Sequence, residues 1–332
     1  MARANSPAAA FEAAADAIIN GDAAMLRKLL ADRPGLVQER STREHHSTLL
    51  HYVSANGVEN FRQKTPKNIV EITNLLLDAG AEVDAESDAY GGGCTALGLA
   101  ATSVHPERAG VQIALLETLL DRGASLHLRA GGNNHSIVHG CIANGQPAAA
   151  KFLADRGAPL DMEGAAALDR LDVLQSYFDG GGVGSTEANR QQIESAFRYA
   201  CGYGSLDAAK FLLERGVDPA AREENGQTAL HWACWGPEPE IIGLLLEHGA
   251  PVDARDARFH ATPLDTALWT WNNSSREGVR QRCYKAVALL VRAGATFDLN
   301  HWRDSQKQSP MLEKINADRR MQAALRGKIE QS

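Results

Sequence analysis

The amino-acid sequence predicts an all-α fold made of about eight stacked helix pairs. Two short phrases recur along the chain, always in the same order. Copies without inserted residues between them lie about 33 residues apart. Each unit carries one apolar face that a single helix pair cannot bury, so neighbouring units must stack on one another. The repeat therefore predicts one elongated solenoid.

The first phrase marks the start of the first helix of a unit. Its Thr or Ser accepts hydrogen bonds from free N–H groups of the first turn, and a proline at the next position suits that turn. The copies are Thr48-Leu49-Leu50-His51, Thr95-Ala96-Leu97, Ser136-Ile137-Val138-His139, Thr228-Ala229-Leu230-His231 and Thr262-Pro263-Leu264-Asp265. We expect His51, His139 and His231 to form hydrogen bonds within the stack, and Asp265 to take the same place.

The second phrase ends the second helix of a unit. Its apolar residues supply the face that packs on neighbouring repeats, and its glycine takes the left-handed conformation that ends many helices. The glycines of the copies are Gly80, Gly123, Gly157, Gly216, Gly249 and Gly294. The Asp- and Asn-rich stretch that follows predicts a hairpin turn toward the next unit.

The two phrases together resemble ankyrin repeats over residues 11–296. The segment Asn225-Gly226-Gln227-Thr228-Ala229-Leu230-His231-Trp232-Ala233 is the most specific copy. The chain looks like a bacterial, cytoplasmic member of that group. The resemblance implies a stack of helix-turn-helix units with protruding hairpins, a role in protein binding and no catalysis.

The units are predicted to form a single ankyrin-repeat domain over residues 1–332. Within it we expect an N-terminal cap repeat at 11–46, repeats with insertions at 47–162, a degenerate repeat with a glycine-rich loop at 163–189, C-terminal repeats at 190–299 and a cap with a tail at 300–332.

Three units carry extra residues between their two helices, at 57–68, 103–110 and 272–278. Surface loops tolerate insertions at small cost, so neutral drift explains them. Insertions on one side of a solenoid also often line its binding side. Both interpretations stay open on the sequence alone.

Composition restricts the classes of partner. The net charge is −7 and there is no long basic run, so no nucleic-acid partner is expected. No apolar run reaches about 18 residues, so no membrane span is predicted. The five cysteines are scattered without a C-x-x-C pair, which indicates core residues in a reducing, cytoplasmic compartment.

Aromatic residues are the first candidates for a binding surface. Alignment to the repeat places several on first helices, on the side that faces the concave groove. They are Trp232, Trp235, Trp269, Trp271, Tyr199, Tyr203 and Tyr52. An exposed aromatic cluster usually marks a contact surface. Packing between repeats is the alternative explanation for the same rings.

The tips of the hairpins supply the second set of candidates, because turns often carry recognition. These residues are His45, His46, Tyr90, His135, Phe259 and His260. They suit a polar partner surface, although Asn- and Gly-rich tips also satisfy the needs of any tight turn.

The motifs that could indicate catalysis or a cofactor lack the further residues or surrounding elements that such a function requires. The cluster His45, His46 and His51 lacks the further ligands of a zinc site, so no metal is predicted. The Gly91-x-Gly93-x-x-Ala96 match lacks a surrounding strand–helix–strand unit, and the glycine-rich run 180–186 lacks the lysine of a phosphate-binding loop. No cofactor is expected. An active site assembled from His46, Tyr90, His135 and Asp265 across repeats remains open.

The sequence thus favours a module that captures a protein partner on its concave face. The alternative is a small-molecule binding protein or an unusual enzyme with a pocket lined by aromatic residues. A broad, open aromatic face would support the first function, and a deep pocket would support the second.

Overall fold

A computed structural model describes residues 7–127, 135–178, 187–297 and 309–329 of the chain. The chain divides into two compact units, Met1–Gly164 and Ala165–Ser332. The division falls inside the segment that the sequence marks as a degenerate repeat. The single domain proposed from the repeat stays a prediction.

The first unit consists of helix pairs in chain order. Its α-helices are α1 (Pro7–Asn20), α2 (Ala23–Asp32), α3 (Ile69–Asp78), α4 (Ala96–Thr102), α5 (Val104–Arg108), α6 (Gln112–Asp121), α7 (Ile137–Ala143) and α8 (Pro147–Asp155), and 3-10 helices span Pro34–Gln38, Leu49–Ser54, Asn60–Arg62 and Ala89–Gly91. A short helix, α9 (Met162–Ala167), spans the boundary. Within this unit α1 packs on α2, α4 on α6 and α7 on α8.

The second unit repeats the same arrangement. Its helices are α10 (Leu171–Ser176), α11 (Glu187–Tyr203), α12 (Leu206–Glu214), α13 (Ala229–Trp235), α14 (Pro239–Glu247), α15 (Pro263–Asn273), α16 (Glu277–Arg292), α17 (Ser309–Ala317) and α18 (Arg319–Ala324). Helices α11, α13 and α15 are the first helices of consecutive pairs, and each packs on the next. The described residues contain isolated β-bridges, Arg40 with Thr48 and Ser87 with Cys94, but no longer strand.

The predicted role of His51 and His231 is confirmed. The His51 Nδ1 accepts the backbone N–H of Thr48 at 3.1 Å and lies 2.9 Å from its hydroxyl. Its Nε2 donates to the carbonyl of Cys94, in the hairpin of the next repeat, at 3.0 Å. His231 makes the same contacts with Thr228 and with the Ala261 carbonyl, the latter at 3.1 Å. Each ring thus caps its own helix and ties it to the next hairpin.

Asp265 fills the same place with a shorter side chain. Its Oδ2 accepts both the backbone N–H and the hydroxyl of Thr262, each at 2.9 Å. The carboxylate therefore reproduces the cap, as predicted.

The glycine of the second phrase has the predicted left-handed backbone in every copy. The φ angle of Gly216 is +87° and that of Gly80 is +94°. Gly123, Gly157, Gly249 and Gly294 share this region. A residue with such a φ angle ends the second helix of each repeat, and glycine adopts it readily because it has no Cβ.

The first insert is ordered against α1. Its Arg62 is 3% exposed, with Nη1 2.7 Å from Glu12 Oε2 and Nη2 2.7 Å from Asp16 Oδ1. The same guanidinium lies 5.8 Å from the ring centroid of Tyr52. A buried arginine is tolerated because acidic partners surround it, so the insert is fastened to the N-terminal helix pair.

The other two inserts extend the helical structure. The second forms the short helix α5. In the third, α15 runs to Asn273 and α16 starts at Glu277, so the inserted residues lengthen these helices to 11 and 16 residues. The preceding pair, α13 and α14, has helices of 7 and 9 residues.

Substitution of alanine for Gly216 and for Gly243 should change the free energy of unfolding with opposite signs. A Cβ on Gly216 or on Gly243 would meet no atom within 4 Å, but Gly216 has a positive φ and Gly243 lies inside α14. We expect Gly216→Ala to lower the free energy of unfolding by about 1 kcal/mol, because alanine is strained in the left-handed region. We expect Gly243→Ala to raise it by a similar amount through helix propensity. Urea unfolding of both variants measures this; equal signs would contradict the assignment of the repeat.

The free energy of unfolding should decrease as the pH is lowered, because His51 is buried as a neutral ring. Burial lowers the pKa of His51 to about 4. Below pH 6.5 the unfolded chain takes up a proton on this ring and the folded chain does not, so folding loses about 3 kcal/mol between pH 6.5 and pH 4. Urea unfolding from pH 7 to pH 4.5 should show a smaller pH dependence in His51→Asn than in the natural chain. Parallel curves for the two proteins would rule out the buried neutral ring.

Candidate functional site

A row of aromatic side chains runs along the first helices of the second unit. Tyr199 of α11 and Trp232 of α13 are half-buried and meet edge to face, with ring centroids 5.0 Å apart. Tyr203, one turn further along α11, is also half-buried. We call Tyr199, Tyr203, Trp232, Trp235 and Trp269 the aromatic row.

Trp235 and Trp269 form the exposed part of the aromatic row. Trp235 ends α13 and is 48% exposed; Trp269 lies in α15 and is 47% exposed. Their ring centroids are 4.8 Å apart, with the planes tilted by 57°. Two large apolar rings thus contact each other and still present about half of their surface to solvent.

Two glycines set the close approach of α11 and α13 beneath the aromatic row. A Cβ on Gly202 would lie 3.0 Å from Cε3 of Trp232. A Cβ on Gly236 would overlap the carbonyl oxygen of Gly202. The backbones touch here because neither residue has a side chain.

The sequence-based prediction for Trp271 is wrong. Trp271 is 2% exposed, and it lies under the Arg280 guanidinium, 5.0 Å from the ring, and beside Tyr284. Residues two apart on a helix point about 160° away from each other, so Trp269 and Trp271 cannot share a face. Trp232 and Trp235, three apart, point within about 60° of each other.

Tyr52 is also not a surface residue, contrary to the prediction. It is fully buried, with its ring against Phe11 and its hydroxyl 3.2 Å from Glu59 Oε1. The first insert covers it through Glu59 and Arg62. Alignment to the repeat alone does not reveal this burial, because the repeat pattern does not describe the insert.

The hairpin-tip histidines differ in their surroundings. His45 is half-buried; its Nδ1 accepts the Ser47 backbone N–H at 3.1 Å, and burial lowers its pKa. His46 is exposed, with its Nδ1 2.6 Å from Asp88 Oδ2 of the next hairpin. His46 therefore joins two neighbouring tips.

The hairpin-tip residues Tyr90, Phe259 and His260 are exposed, as predicted. Tyr90 is 68% exposed and donates its hydroxyl hydrogen to Asn56 Oδ1 at 2.7 Å. Phe259 is 65% exposed, with the Arg258 guanidinium 4.9 Å from its ring centroid. His260 is exposed and has a φ angle of +51°.

A cavity of about 600 Å³ lies in the first unit. Its wall brings together residues from the second, third and fourth repeats, whose first phrases begin at Thr48, Thr95 and Ser136. The polar side chains of the wall include Asn56, Gln63, Tyr90, His105, His135 and His139. Tyr90 and His135, two members of the constellation considered from the sequence, thus line one cavity, whereas His46 pairs with Asp88 and Asp265 caps α15 in the second unit.

His139 forms a contact within the stack, as predicted, and its partner is a carboxylate. Its Nδ1 lies 3.2 Å from Asp161 Oδ2. Burial lowers the pKa of His139, but hydrogen bonding and charge attraction from Asp161 outweigh burial and raise it above the ordinary value. Burial likewise raises the pKa of Asp161, and contacts with His139 and the Gly164 backbone N–H outweigh this and lower it. The two groups therefore form a partly buried charged pair.

His135 stacks on this pair. Its ring centroid is 4.0 Å from that of His139, with the planes 24° apart. The ligand atoms of His135, His139 and Asp161 lie within 4.8 Å of one another. The sequence did not indicate Asp161, since it stands 22 residues after His139 in a repeat without a recognisable first phrase.

Comparison with known proteins identifies the repeats. The family model for ankyrin repeats, in three copies, matches residues 162–256. The chain is 37% identical over 93 residues to the palmitoyltransferase Hip14 of Drosophila melanogaster, covering 28% of this chain and 13% of that protein. It is 30% identical over 138 residues to a Treponema pallidum protein described as ankyrin repeat-containing, covering 42% of this chain and 38% of that protein.

The chain thus spans well under half the length of these relatives, which come from eukaryotes and bacteria. Among solved structures, the human ASB11 ankyrin repeat domain matches 86% of this chain and 99% of that chain, with a TM-score of 0.42 and 20% identity. No described helix has the length and apolar composition required to traverse a lipid bilayer. The helix pairs, the His–Thr caps and the family match agree with the predicted fold class: the chain is an all-α protein that contains ankyrin repeats.

Proposed function

We propose that the chain is a protein-binding module whose contact surface is the aromatic row of the second unit. Ankyrin repeats in general serve protein interaction, and the family match at residues 162–256 includes α11 and α13. The aromatic row lies on the first helices, the side that faces the concave groove in ankyrin stacks. The partner presents apolar side chains to it.

The Trp235–Trp269 pair is the observation that carries this proposal. Tryptophan is enriched among the residues that dominate binding energy at protein interfaces. Each ring leaves about half of its surface in water, and covering apolar surface yields about 25 cal/mol per Å². The half-buried Tyr199 and Trp232 extend the same row, which gives a partner a continuous aromatic strip.

The hairpin tips supply specificity in this proposal. His45, His46 and Tyr90 lie on tips of the first unit, whereas Phe259 and His260 lie on a tip of the second. His135 begins the fourth repeat of the first unit. The exposed tips suit contacts with polar groups of a partner.

We also propose a bacterial, cytoplasmic location. The five cysteines are buried, and none of them forms a disulfide. Buried thiols of this kind persist in a reducing compartment. The net charge of −7 supports a partner other than nucleic acid.

Removing the exposed pair should weaken binding strongly and leave the fold intact. We expect Trp235→Ala with Trp269→Ala to weaken capture of the partner at least about tenfold, since two interface tryptophans are lost. Stability should change by less than about 1 kcal/mol, because both rings are half exposed. The measurement is affinity capture from a bacterial lysate with quantification of bound proteins, next to urea unfolding.

Two controls separate the surface from the core. Phe61→Ala removes a 63% exposed aromatic ring from the first unit, and capture should be unchanged. Trp271→Ala should lower the free energy of unfolding by about 3–5 kcal/mol, as truncation of a buried tryptophan does. If the double variant retains all captured proteins, or loses no more than Phe61→Ala does, the proposed surface is refuted.

A further inference from the structure

The repeat histidine of the fourth repeat, His139, lies beside a carboxylate of the segment that follows. In the second and seventh repeats, Nε2 of the histidine donates to a carbonyl of the next hairpin. In the fourth repeat, Nδ1 of His139 lies 3.2 Å from Oδ2 of Asp161, the residue just before α9.

The helix cap is rearranged accordingly. The hydroxyl oxygen of Ser136 accepts the His139 backbone N–H at 3.0 Å, which caps α7 without the histidine ring. The same hydroxyl donates its hydrogen to Asp161 Oδ2 at 3.1 Å. The imidazole of His139 is therefore not required to cap α7.

Asp161 is held in a fixed orientation. Its Oδ1 accepts the Gly164 backbone N–H at 2.8 Å, while Oδ2 receives the Ser136 hydroxyl. Outer hydrogen bonds of this kind orient the carboxylate and histidine ligands of protein metal sites. The carboxylate has enough acceptor positions left for a cation, because each oxygen has two lone pairs.

We infer that His135, His139 and Asp161 form a binding site for a divalent transition-metal ion of the zinc type, open to the cavity of the first unit. Two imidazole nitrogens and one carboxylate oxygen within 4.8 Å of one another supply the ligand set. Ligands around a tetrahedral zinc ion are about 3.4 Å apart. His135 is exposed, so its side chain has room to rotate toward an ion held by His139 and Asp161.

The donor types select the class of metal. Imidazole nitrogen favours zinc, cobalt, nickel, copper and iron, whereas calcium and magnesium prefer sites made of oxygen alone. Cys94 also lines the cavity, but burial raises the pKa of its thiol, whose hydrogen is donated to the Ala89 carbonyl oxygen at 3.0 Å. A thiolate is therefore not supplied, and the three ligands leave a fourth position for water or a small molecule from the cavity.

This inference concerns the first unit and does not depend on the aromatic row. The test is isothermal titration calorimetry of the full chain, free of any polyhistidine tag, with zinc chloride at pH 7.5, and the ligand-field absorption of added cobalt(II). We expect one ion per chain. We expect at least a tenfold weaker dissociation constant in His135→Ala and in Asp161→Asn, since each loses a ligand.

The chain offers a matched control in His46→Ala. His46 is an exposed histidine of the same unit that also pairs with an aspartate, Asp88, but it has no third ligand nearby among the described residues. This variant should bind zinc as the natural chain does. His135 is exposed, so His135→Ala should fold normally, and circular dichroism and the thermal midpoint check this.

Three outcomes would overturn the inference. The first is no uptake of zinc or cobalt even at a large molar excess of the ion over the chain. The second is unchanged binding in a folded His135→Ala variant. The third is loss of binding in His46→Ala, which would place the metal on the hairpin tips. Uptake that depends on His135 and Asp161 but not on His46 would support the inference.

Discussion

The hydrogen-bonded link from one helix cap to the next hairpin is the constraint on which the regular repeats depend. His51 and His231 each satisfy the free donors at the start of a first helix and simultaneously hold a carbonyl of the following repeat. Such buried polar groups are costly when unpaired, so each repeat requires a correctly placed neighbour. The link thus fixes the separation between a repeat and the next repeat along the chain.

One repeat departs from this pattern. Before the degenerate repeat, a serine caps α7 and the histidine pairs with an aspartate. This part of the array thus contains the charged pair and borders the cavity of the first unit. The exposed tryptophans, in contrast, lie in the second unit where the His–Thr cap is intact. The irregular repeat thus carries a charged pair, whereas the regular repeats carry exposed aromatic rings.

The sequence predicted the helix pairs, the caps and the helix-ending glycines because each depends on a few neighbouring residues. Thr228 and His231, for example, form their cap within a single turn. The aromatic face was predicted only in part. Trp235 and Trp269 are exposed, but the 3.6-residue period turns Trp271 inward. Tyr52 is buried by Arg62 and Glu59, residues of an insert that the repeat pattern does not describe. Asp161 was missed because its contact with His139 exists only in the folded chain.

The backbone contact between Gly202 and Gly236 has a consequence for the speed of recognition. Because the carbonyl of Gly202 abuts Gly236, α11 and α13 are locked at one separation, and Trp232 lies over a rigid floor. On the proposed function, a partner would meet two helices whose separation is already fixed. Little conformational entropy of these helices would then be lost on association, and the association rate would be set by diffusional encounter and orientation, with no slow rearrangement of the two helices.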